Sequence, residues 1–448
     1  MKILQFGEGN FLRAFVDYMI DFSNEKLSLD NKVTIVKPIE YGSLDAFKEQ
    51  NCQYTLITRG MTDGQKIDFA RKITCVDKAI GAYEDFDELL SLAKDCEYKI
   101  VISNTTEAGI AITEEDSFEE NPPKSYPAKL TRFLYERFCT VGGEMYILPC
   151  ELIENNGQAL EKCVMETAKR WKLCQEFLSW LSESCYFCTT LVDRIVTGFN
   201  KELSEQYKDK LLDIGEPFAL WVIEDKGDIR KLLPLDKAGL DVVFTDDVTP
   251  YRERKVRILN GAHTSTVLAA YLAGKTIVRE CIQDSVILKY MKKCILDEVI
   301  PTLSLDKEDC MNFAKSVFER FENPFIDHSL LSISLNSVSK WKSRLLGSFK
   351  DYYKKFNTLP PVITFSFAAM IAFYSKVEEV KDDKAVLEFF EANKADSNFV
   401  EKLCQRADFW GEDLSLYPDF CKTVQENLKL IEEKGMYEAM RLAVDKNA

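Results

Sequence analysis

The sequence predicts an α/β fold with two domains, an N-terminal domain with a doubly wound, mostly parallel sheet over 1–249 and an all-helical domain over 250–448. Three observations support this prediction. The chain has 448 residues, too many for one ordinary core. Strand-like and helix-like segments alternate in its first half, which is typical of parallel α/β sheets. Beyond about residue 250 long amphipathic segments replace the strands.

The predicted strands of the first domain are short apolar runs. The first leads into the turn Gly7-Glu8-Gly9, after which Phe11, Phe15, Met19 and Phe22 recur at helical spacing and predict one helix. The strand candidates are 3–6, 33–36, 98–103, 146–148, 218–223 and 242–244. The predicted helices of the second domain are 283–298, 307–322, 329–356, 362–376, 384–394 and 420–444, with prolines between several of them.

Composition excludes several function classes. The net charge of −15 opposes binding to nucleic acid or to anionic lipid, and no apolar run approaches the roughly 20 residues that span a bilayer. Charged residues interrupt the first 21 positions, so we expect no signal peptide, and the 14 scattered cysteines suit a reducing compartment. We therefore expect a cytoplasmic protein. With only two histidines and a single CxxC pair, Cys185 and Cys188, the sequence predicts no metal site.

The glycine turn is a candidate site for a dinucleotide. A strand, Gly-x-Gly and a helix together bring backbone N–H groups and the positive end of a helix dipole to a pyrophosphate. The alternative is an ordinary strand–helix turn, because Leu12 stands where the third glycine of the usual fingerprint would be. Arg13 is either solvated or a phosphate ligand. The predicted cofactor-binding residues here are Ile3, Leu4, Gln5, Phe6, Gly7, Glu8, Gly9, Asn10, Phe11, Leu12, Arg13 and Ala14.

Two further segments belong to this candidate site. Glu40, after the second strand, is the nearest acidic residue able to bind the ribose hydroxyls and favours NAD, whereas Lys37 leaves NADP open. Asn104, Thr105 and Thr106 follow another predicted parallel strand, at the edge where ligands collect in such sheets. The alternative for this loop is a simple helix cap or turn.

The start of the second domain carries a candidate catalytic set. Hydride transfer at an alcohol carbon needs a base for the hydroxyl proton, a role that a partly desolvated lysine such as Lys255 can fill. The Asn260 amide could donate to the developing alkoxide, and His263 could orient the substrate. Lys255 and Asn260, five residues apart, share a face only if the helix is irregular or begins between them. The alternative is a solvated lysine and a core histidine.

Short blocks along the whole chain form a series. They are Gln5-Phe6-Gly7-Glu8-Gly9-Asn10-Phe11-Leu12-Arg13, Ser103-Asn104-Thr105-Thr106-Glu107-Ala108-Gly109, Ser125-Tyr126-Pro127-Ala128-Lys129, Pro149-Cys150-Glu151-Leu152-Ile153, Leu191-Val192-Asp193-Arg194, Tyr251-Arg252-Glu253-Arg254-Lys255, and Asn323-Pro324 with His328. The series resembles the long-chain, polyol-specific mannitol dehydrogenases, and within them the tagaturonate reductase branch. The resemblance implies a metal-independent enzyme in which a Rossmann domain binds NAD, a helical domain completes the site, and Lys255 is the acid/base beside Asn260 and His263.

The resemblance also guides the substrate prediction. It places Thr189 where mannitol-oxidising relatives carry an oxyanion-pocket asparagine, and it places His328 near the substrate. A uronate carboxylate needs fixed cations, for which the candidates are Lys129, Arg132, Arg194, Lys340 and Arg344; solvated surface is the alternative for the last two.

The resemblance implies NADH-dependent reduction of D-tagaturonate to D-altronate in hexuronate breakdown. The alternatives are a fructuronate reductase, a mannitol or polyol 2-dehydrogenase, or a non-catalytic NAD(H) sensor. We expect a small sugar acid as the partner and a monomer or small homo-oligomer.

Overall fold

The computed structural model describes residues 1–106 and 108–445, so Glu107 of the quoted loop block lies outside the described residues. The chain divides into two compact units. The first comprises Met1–Gly60 and Lys66–Val248, and the second comprises Met61–Gln65 and the chain from Thr249 onward. The grouping of Met61–Gln65 with the second unit was not predicted.

The strands form three sheets. A six-stranded sheet has the order β5-β2-β1-β6-β7-β8, and two three-stranded sheets have the orders β10-β3-β4 and β12-β11-β9. The strands are β1 (Lys2–Phe6), β2 (Lys32–Lys37), β3 (Tyr54–Thr62), β4 (Gln65–Ile73), β5 (Val76–Gly81), β6 (Tyr98–Ser103), β7 (Met145–Pro149), β8 (Cys185–Phe187), β9 (Thr190–Asp193), β10 (Asp213–Gly215), β11 (Leu220–Glu224) and β12 (Val242–Thr245).

The six-stranded sheet is parallel and doubly wound. β1 pairs in parallel with both β2 and β6, so the strand order reverses beside β1. Alternate side chains enter two different cores: Ile3 packs with Phe15 on one face, whereas Leu4 packs with Phe133 and Leu160 on the other. Strands buried on both faces read as continuous apolar runs, which explains why the sequence predicted β1, β2, β6 and β7. The strands β5 and β8 of the same sheet were not predicted.

The helices of the first unit lie between these strands. They are α1 (Asn10–Leu12), α2 (Tyr18–Leu27), α3 (Asp45–Glu49), α4 (Phe86–Leu92), α5 (Tyr126–Thr140), α6 (Asn156–Arg170), α7 (Gln175–Ser184), α8 (Lys201–Tyr207) and α9 (Ile229–Leu232). A π-helical turn, Arg13–Asp17, separates α1 from α2. The helix expected after the glycine turn is therefore present, and it contains a π-turn that the apolar spacing did not indicate.

The second unit is helical throughout its described elements from residue 249 onward. They are α10 (Thr249–Arg254), α11 (Gly261–Leu272), α12 (Val278–Gln283), α13 (Ser285–Lys292), α14 (Lys307–Phe321), α15 (Leu330–Ile333), α16 (Ser337–Arg344), α17 (Leu346–Phe356), α18 (Pro361–Lys376), α19 (Lys384–Asn393), α20 (Phe399–Cys404), α21 (Ala407–Trp410), α22 (Phe420–Lys434) and α23 (Met436–Asp445). Two π-helical turns, Lys255–Asn260 and Lys293–Val299, interrupt the series. The predicted fold class is confirmed.

Two buried helices form the centre of the second unit. α11 is buried from Gly261 through Ala270, and α18 is buried from Val362 through Phe373. Helices that are apolar on all sides belong in the middle of a core. The first turn of α11, which carries His263, is therefore held rigidly by its neighbours. None of the described helices is long and apolar enough to cross a membrane.

Candidate functional site

The glycine turn lies where the strand order of the large sheet reverses. Gly7 follows β1 with φ of 128°, in the left-handed range that favours glycine, and its N–H donates to the carbonyl of Val36 at 2.9 Å. A Cβ atom on Gly7 would lie 3.0 Å from the carbonyl oxygen of Asn104, in the loop after β6. The structure thus brings the glycine turn and the 104–106 loop together at the carboxyl edge, where open α/β sheets bind ligands.

The second glycine leaves room at the same edge. Gly9 has extended backbone angles and precedes α1 as its N-cap residue. A Cβ atom on Gly9 would meet nothing within 4 Å among the described residues. Leu12, which replaces the third glycine of the usual fingerprint, packs instead against Gly7, 3.1 Å from the position of a Gly7 Cβ. The turn therefore retains the open backbone that a pyrophosphate requires.

Arg13 is an internal residue. Its side chain is buried, and its guanidinium donates to the carbonyl of Leu211 and to Asn10 Oδ1, the latter at 2.5 Å. Asp213 Oδ2 lies 3.7 Å away, and the ring of Tyr54 lies beneath the guanidinium. The interpretation of Arg13 as solvated is wrong. The guanidinium supports the start of the helix from inside the unit. The sequence predicted either a solvated side chain or a phosphate ligand, and neither prediction included these internal contacts.

Lys37 is also internal, which affects the choice between NAD and NADP. Its side chain is fully buried, and its ammonium donates to the carbonyls of Glu40 and Gly42, at 3.3 and 2.9 Å, and pairs with Glu84 Oε1 at 2.7 Å. The loop that carries Glu40 therefore wraps around the Lys37 ammonium. The Glu40 residue itself is exposed after β2.

The catalytic candidates of the second unit meet on an irregular helix. Lys255–Asn260 is a π-helical turn, in which i→i+5 hydrogen bonds stack residues five apart. Lys255 and Asn260 therefore project from the same side, although an ideal α-helix would separate them. His263, three residues further along in α11, continues this face. π-turns of this kind occur frequently at functional sites.

His263 is buried in a cationic environment. Its ring stacks on Phe321 with 4.4 Å between centroids and meets His328 edge-on at 5.2 Å. Burial, together with the positive charges nearby, holds the pKa of His263 well below its ordinary value. The imidazole is therefore neutral at physiological pH, and its Nε2 atom has no hydrogen-bond partner among the described residues. Such a ring is suited to hydrogen bonding rather than to carrying charge.

Two cations on α16 contribute to that environment. Lys340 and Arg344 are half-buried, and burial lowers the pKa of each. Arg344 donates to Thr264 Oγ1 at 3.4 Å, beside His263, and Lys340 donates to the carbonyl of Ile333 at 2.8 Å. Within the described part of the chain, no carboxylate lies in ion-pair distance of either residue. They are therefore not simply solvated surface cations.

The other cationic candidates lie in the first unit and are engaged internally. Arg194 is buried, and its guanidinium donates to the carbonyls of Glu216 and Ala14. Lys129 is fully buried and donates to the carbonyl of Lys124, and burial lowers its pKa to about 8. Arg132 donates to the carbonyl of Phe118 and covers that ring. These contacts indicate that all three cations stabilise the fold of the first unit.

Thr189 is buried and directly precedes β9. Its backbone N–H donates to Glu224 Oε2 at 2.8 Å, and its carbonyl accepts from the N–H of Glu224 at 2.9 Å.

Glu151 is a residue to which the sequence gave no role, and its carboxylate binds the loop after β6. Its only sequence signal was its place in the block Pro149-Cys150-Glu151. Among the described residues, no cluster of three potential metal ligands occurs.

The first unit has a nucleotide-binding sheet with a glycine turn where its strand order reverses. The second unit is helical and carries a lysine, an asparagine and a histidine. Together these features define an oxidoreductase of the two-domain dehydrogenase class. Residues 1–237 match the Mannitol dehydrogenase Rossmann domain, and residues 247–432 match the Mannitol dehydrogenase C-terminal domain. The chain belongs to the mannitol dehydrogenase family.

Curated relatives refine this assignment. An altronate oxidoreductase of Yersinia pestis bv. Antiqua (strain Nepal516) is 41% identical over 463 residues, which cover 98% of this chain and 96% of the relative. An altronate oxidoreductase of Escherichia coli O17:K52:H18 (strain UMN026 / ExPEC) is 42% identical over 464 residues with the same coverage. The resemblance to the tagaturonate reductase branch is thereby confirmed.

Solved structures support the fold. A substrate-free D-sorbitol dehydrogenase matches with a TM-score of 0.80 at 24% identity, covering 98% of this chain and 94% of that one. A Pseudomonas fluorescens mannitol 2-dehydrogenase in complex with NAD and D-mannitol matches with a TM-score of 0.72 at 23% identity, covering 100% and 94%. At these identities the likeness shows the shared fold alone.

Proposed function

We propose that the protein is an NAD(H)-dependent altronate oxidoreductase, which reduces the keto group of D-tagaturonate to give D-altronate and catalyses the reverse reaction. The near full-length identity to altronate oxidoreductases supports this substrate. The glycine turn supports the cofactor, since Gly9 leaves its backbone open and the helix start at Asn10 offers N–H groups.

One observation carries the choice of a sugar acid over a neutral sugar. Lys340 and Arg344 stand beside the neutral His263 with no carboxylate paired to them in the described chain. Half-buried cations are costly unless an anion compensates them, and a guanidinium binds a carboxylate with two parallel hydrogen bonds. A uronate brings that carboxylate, whereas mannitol and fructose do not.

The chain's own residues then transfer the proton and bind the substrate. When bound, NADH supplies the hydride to the keto carbon. Lys255 delivers a proton to the oxygen that becomes the hydroxyl, so that the carbonyl gains one hydride and one proton. The Asn260 amide, on the same side of the π-turn, donates to that oxygen as its charge develops. Neutral His263 binds a substrate hydroxyl without adding charge, and Arg344 and Lys340 bind the carboxylate.

Oxidation of NADH by the purified protein tests this proposal against its alternatives. The panel is D-tagaturonate, D-fructuronate, D-tagatose and D-fructose, in which each uronate is paired with its neutral ketose. We expect the highest kcat/KM with D-tagaturonate. A higher value with D-fructuronate would indicate a fructuronate reductase, and a higher value with a neutral ketose would indicate a polyol dehydrogenase. NADH binding without turnover of any of the four would favour a sensor.

A further inference from the structure

The buried carboxylate of Glu151 has no part in the proposed chemistry, yet it binds one side of the candidate cofactor site. Glu151 follows β7 and is 2% exposed. Its Oε2 accepts from Ser103 Oγ at 3.1 Å, and its Oε1 accepts from both the backbone N–H and the Oγ1 of Thr105, at 2.9 and 3.0 Å. All of these donors belong to the end of β6 or to the loop that follows it.

Hydrogen bonds, and no cation of the described residues, compensate this carboxylate. Among the described residues no lysine or arginine lies in ion-pair distance of Glu151, and burial raises its pKa. Burying a carboxylate is expensive unless hydrogen bonds satisfy it. The loop donors supply those bonds, so the carboxylate and the loop depend on each other for their position.

The loop in turn sets the space at the glycine turn. The Asn104 N–H donates to the carbonyl of Phe6 at 3.0 Å, and the Asn104 carbonyl oxygen lies 3.0 Å from where a Gly7 Cβ would be. Thr106 has φ of 94°, a backbone conformation that a threonine keeps only with support from its surroundings. A shift of the loop by a few tenths of an ångström therefore changes the backbone that faces the pyrophosphate.

We propose that Glu151 is a positioning residue for the nucleotide: it fixes the loop after β6 against the Gly7 turn and thereby sets the affinity for NADH. The inference rests on the proposed function for the identity of the nucleotide. Glu151 acts through Thr105 and Asn104, and its own carboxylate oxygens are used by the loop. Its loss weakens NADH binding and leaves the proton transfer by Lys255 unchanged.

Replacing the carboxylate with an amide of the same shape tests the proposal. In Glu151→Gln one acceptor oxygen becomes a donor that faces the donors of the loop. Because the amide leaves a buried donor of the loop unsatisfied, we expect the Kd for NADH, measured by fluorescence titration without substrate, to rise about tenfold. The kcat at saturating NADH and the KM for D-tagaturonate should change less than twofold. Glu166→Gln, which removes an exposed carboxylate from α6, is the matched control and should bind NADH like the wild type.

A second variant keeps the test decisive if Glu151→Gln does not fold. Ser103→Ala removes one donor to Glu151. Because Ser103 is not among the predicted cofactor-binding residues, this variant should raise the Kd for NADH several-fold only through the position of the loop. An unchanged Kd in the variants that fold, or a fall in kcat without a change in Kd, would overturn the role of Glu151. If the wild type itself does not bind NADH, the proposed function fails instead, so the two failures are distinguishable.

Discussion

In the proposed function, Arg344 and Lys340 are the residues that separate an acid substrate from a neutral one. A hydrogen bond to a charged group contributes about 1.5–3 kcal/mol, so Arg344→Gln should raise the KM for D-tagaturonate roughly 10–100-fold. The rate with a neutral ketose, if it is measurable, should change little. Lys342→Gln, an exposed cation on the same helix, is the control for the loss of one positive charge. Equal losses with tagaturonate and tagatose would show that Arg344 does not bind the carboxylate.

Glu40 is the residue expected to select the nucleotide. A carboxylate at the end of β2 accepts from ribose hydroxyls and repels a 2′-phosphate. We predict a higher kcat/KM with NADH than with NADPH and a reduced ratio in Glu40→Gln. The ratio of the two kcat/KM values measures this preference directly, and a wild-type enzyme that prefers NADPH would contradict it. Lys37 does not offer an easy alternative phosphate site, because its ammonium is buried among carbonyls of the same loop.

Single residues show where sequence reasoning ends. The sequence identified Gly7 and Asn104 as members of one site, and the structure places them in contact. The sequence could not show that the side chains of Arg13 and Lys37 are internal. A cation near a predicted nucleotide site gives the same sequence pattern whether its side chain faces a phosphate or backbone carbonyls. The partners of Arg13, such as Leu211, lie far away in the sequence. Pattern and spacing contain no information on such contacts.

At the scale of elements, the π-turn Lys255–Asn260 resolves the spacing of the catalytic candidates. Residues five apart do not share a face of an α-helix but stack in a π-turn. Hydrophobic periodicity does not distinguish one π-turn within a long helix, so the sequence could state only that the helix must be irregular or begin between the two residues. The same limit explains the unpredicted π-turn after the glycine turn.

Regular helices were predicted well, and their interruptions were not. The segment 362–376 corresponds to Pro361–Lys376 because proline and a continuous apolar run mark it. The segment 329–356 is three helices. Asn336 takes a left-handed conformation before α16, and Leu345 separates α16 from α17. β4 was missed because most of its side chains are exposed, which leaves no apolar signal.

The contact of α6 with the two residues between β8 and β9 gives a test at this scale. A Cβ atom on Gly157 would lie 2.6 Å from the Thr189 nitrogen and 2.7 Å from the Cys188 carbonyl carbon, both backbone atoms. Alanine normally stabilises a helix relative to glycine by about 1 kcal/mol. Here we predict the opposite sign: overpacking should cost Gly157→Ala about 1–3 kcal/mol, measured as a lower Tm. Gln158→Ala, at the exposed neighbouring position, should not lower the Tm. A Gly157→Ala protein as stable as the wild type would show that the helix can move away from the strands.

For the whole molecule, we predict catalysis without a metal, because one unit is proposed to bind the nucleotide and the helical unit to transfer the proton. In the proposed mechanism, Lys255 supplies the proton that a zinc-bound water would otherwise provide. Exhaustive treatment with EDTA should therefore leave kcat with D-tagaturonate unchanged, with metal content measured before and after as the control. Activity that is lost on chelation and restored by a divalent ion would contradict the lysine mechanism.

The rate of Lys255→Met tests the account most directly. Methionine keeps the packing of the lysine stem and removes the proton donor. General acid/base catalysis contributes about 10²–10⁴-fold, so kcat for reduction of D-tagaturonate should fall by that factor. The Kd for NADH should not change, because the predicted cofactor residues lie in the other unit. A folded Lys255→Met enzyme that keeps more than about a tenth of the wild-type kcat would contradict the account.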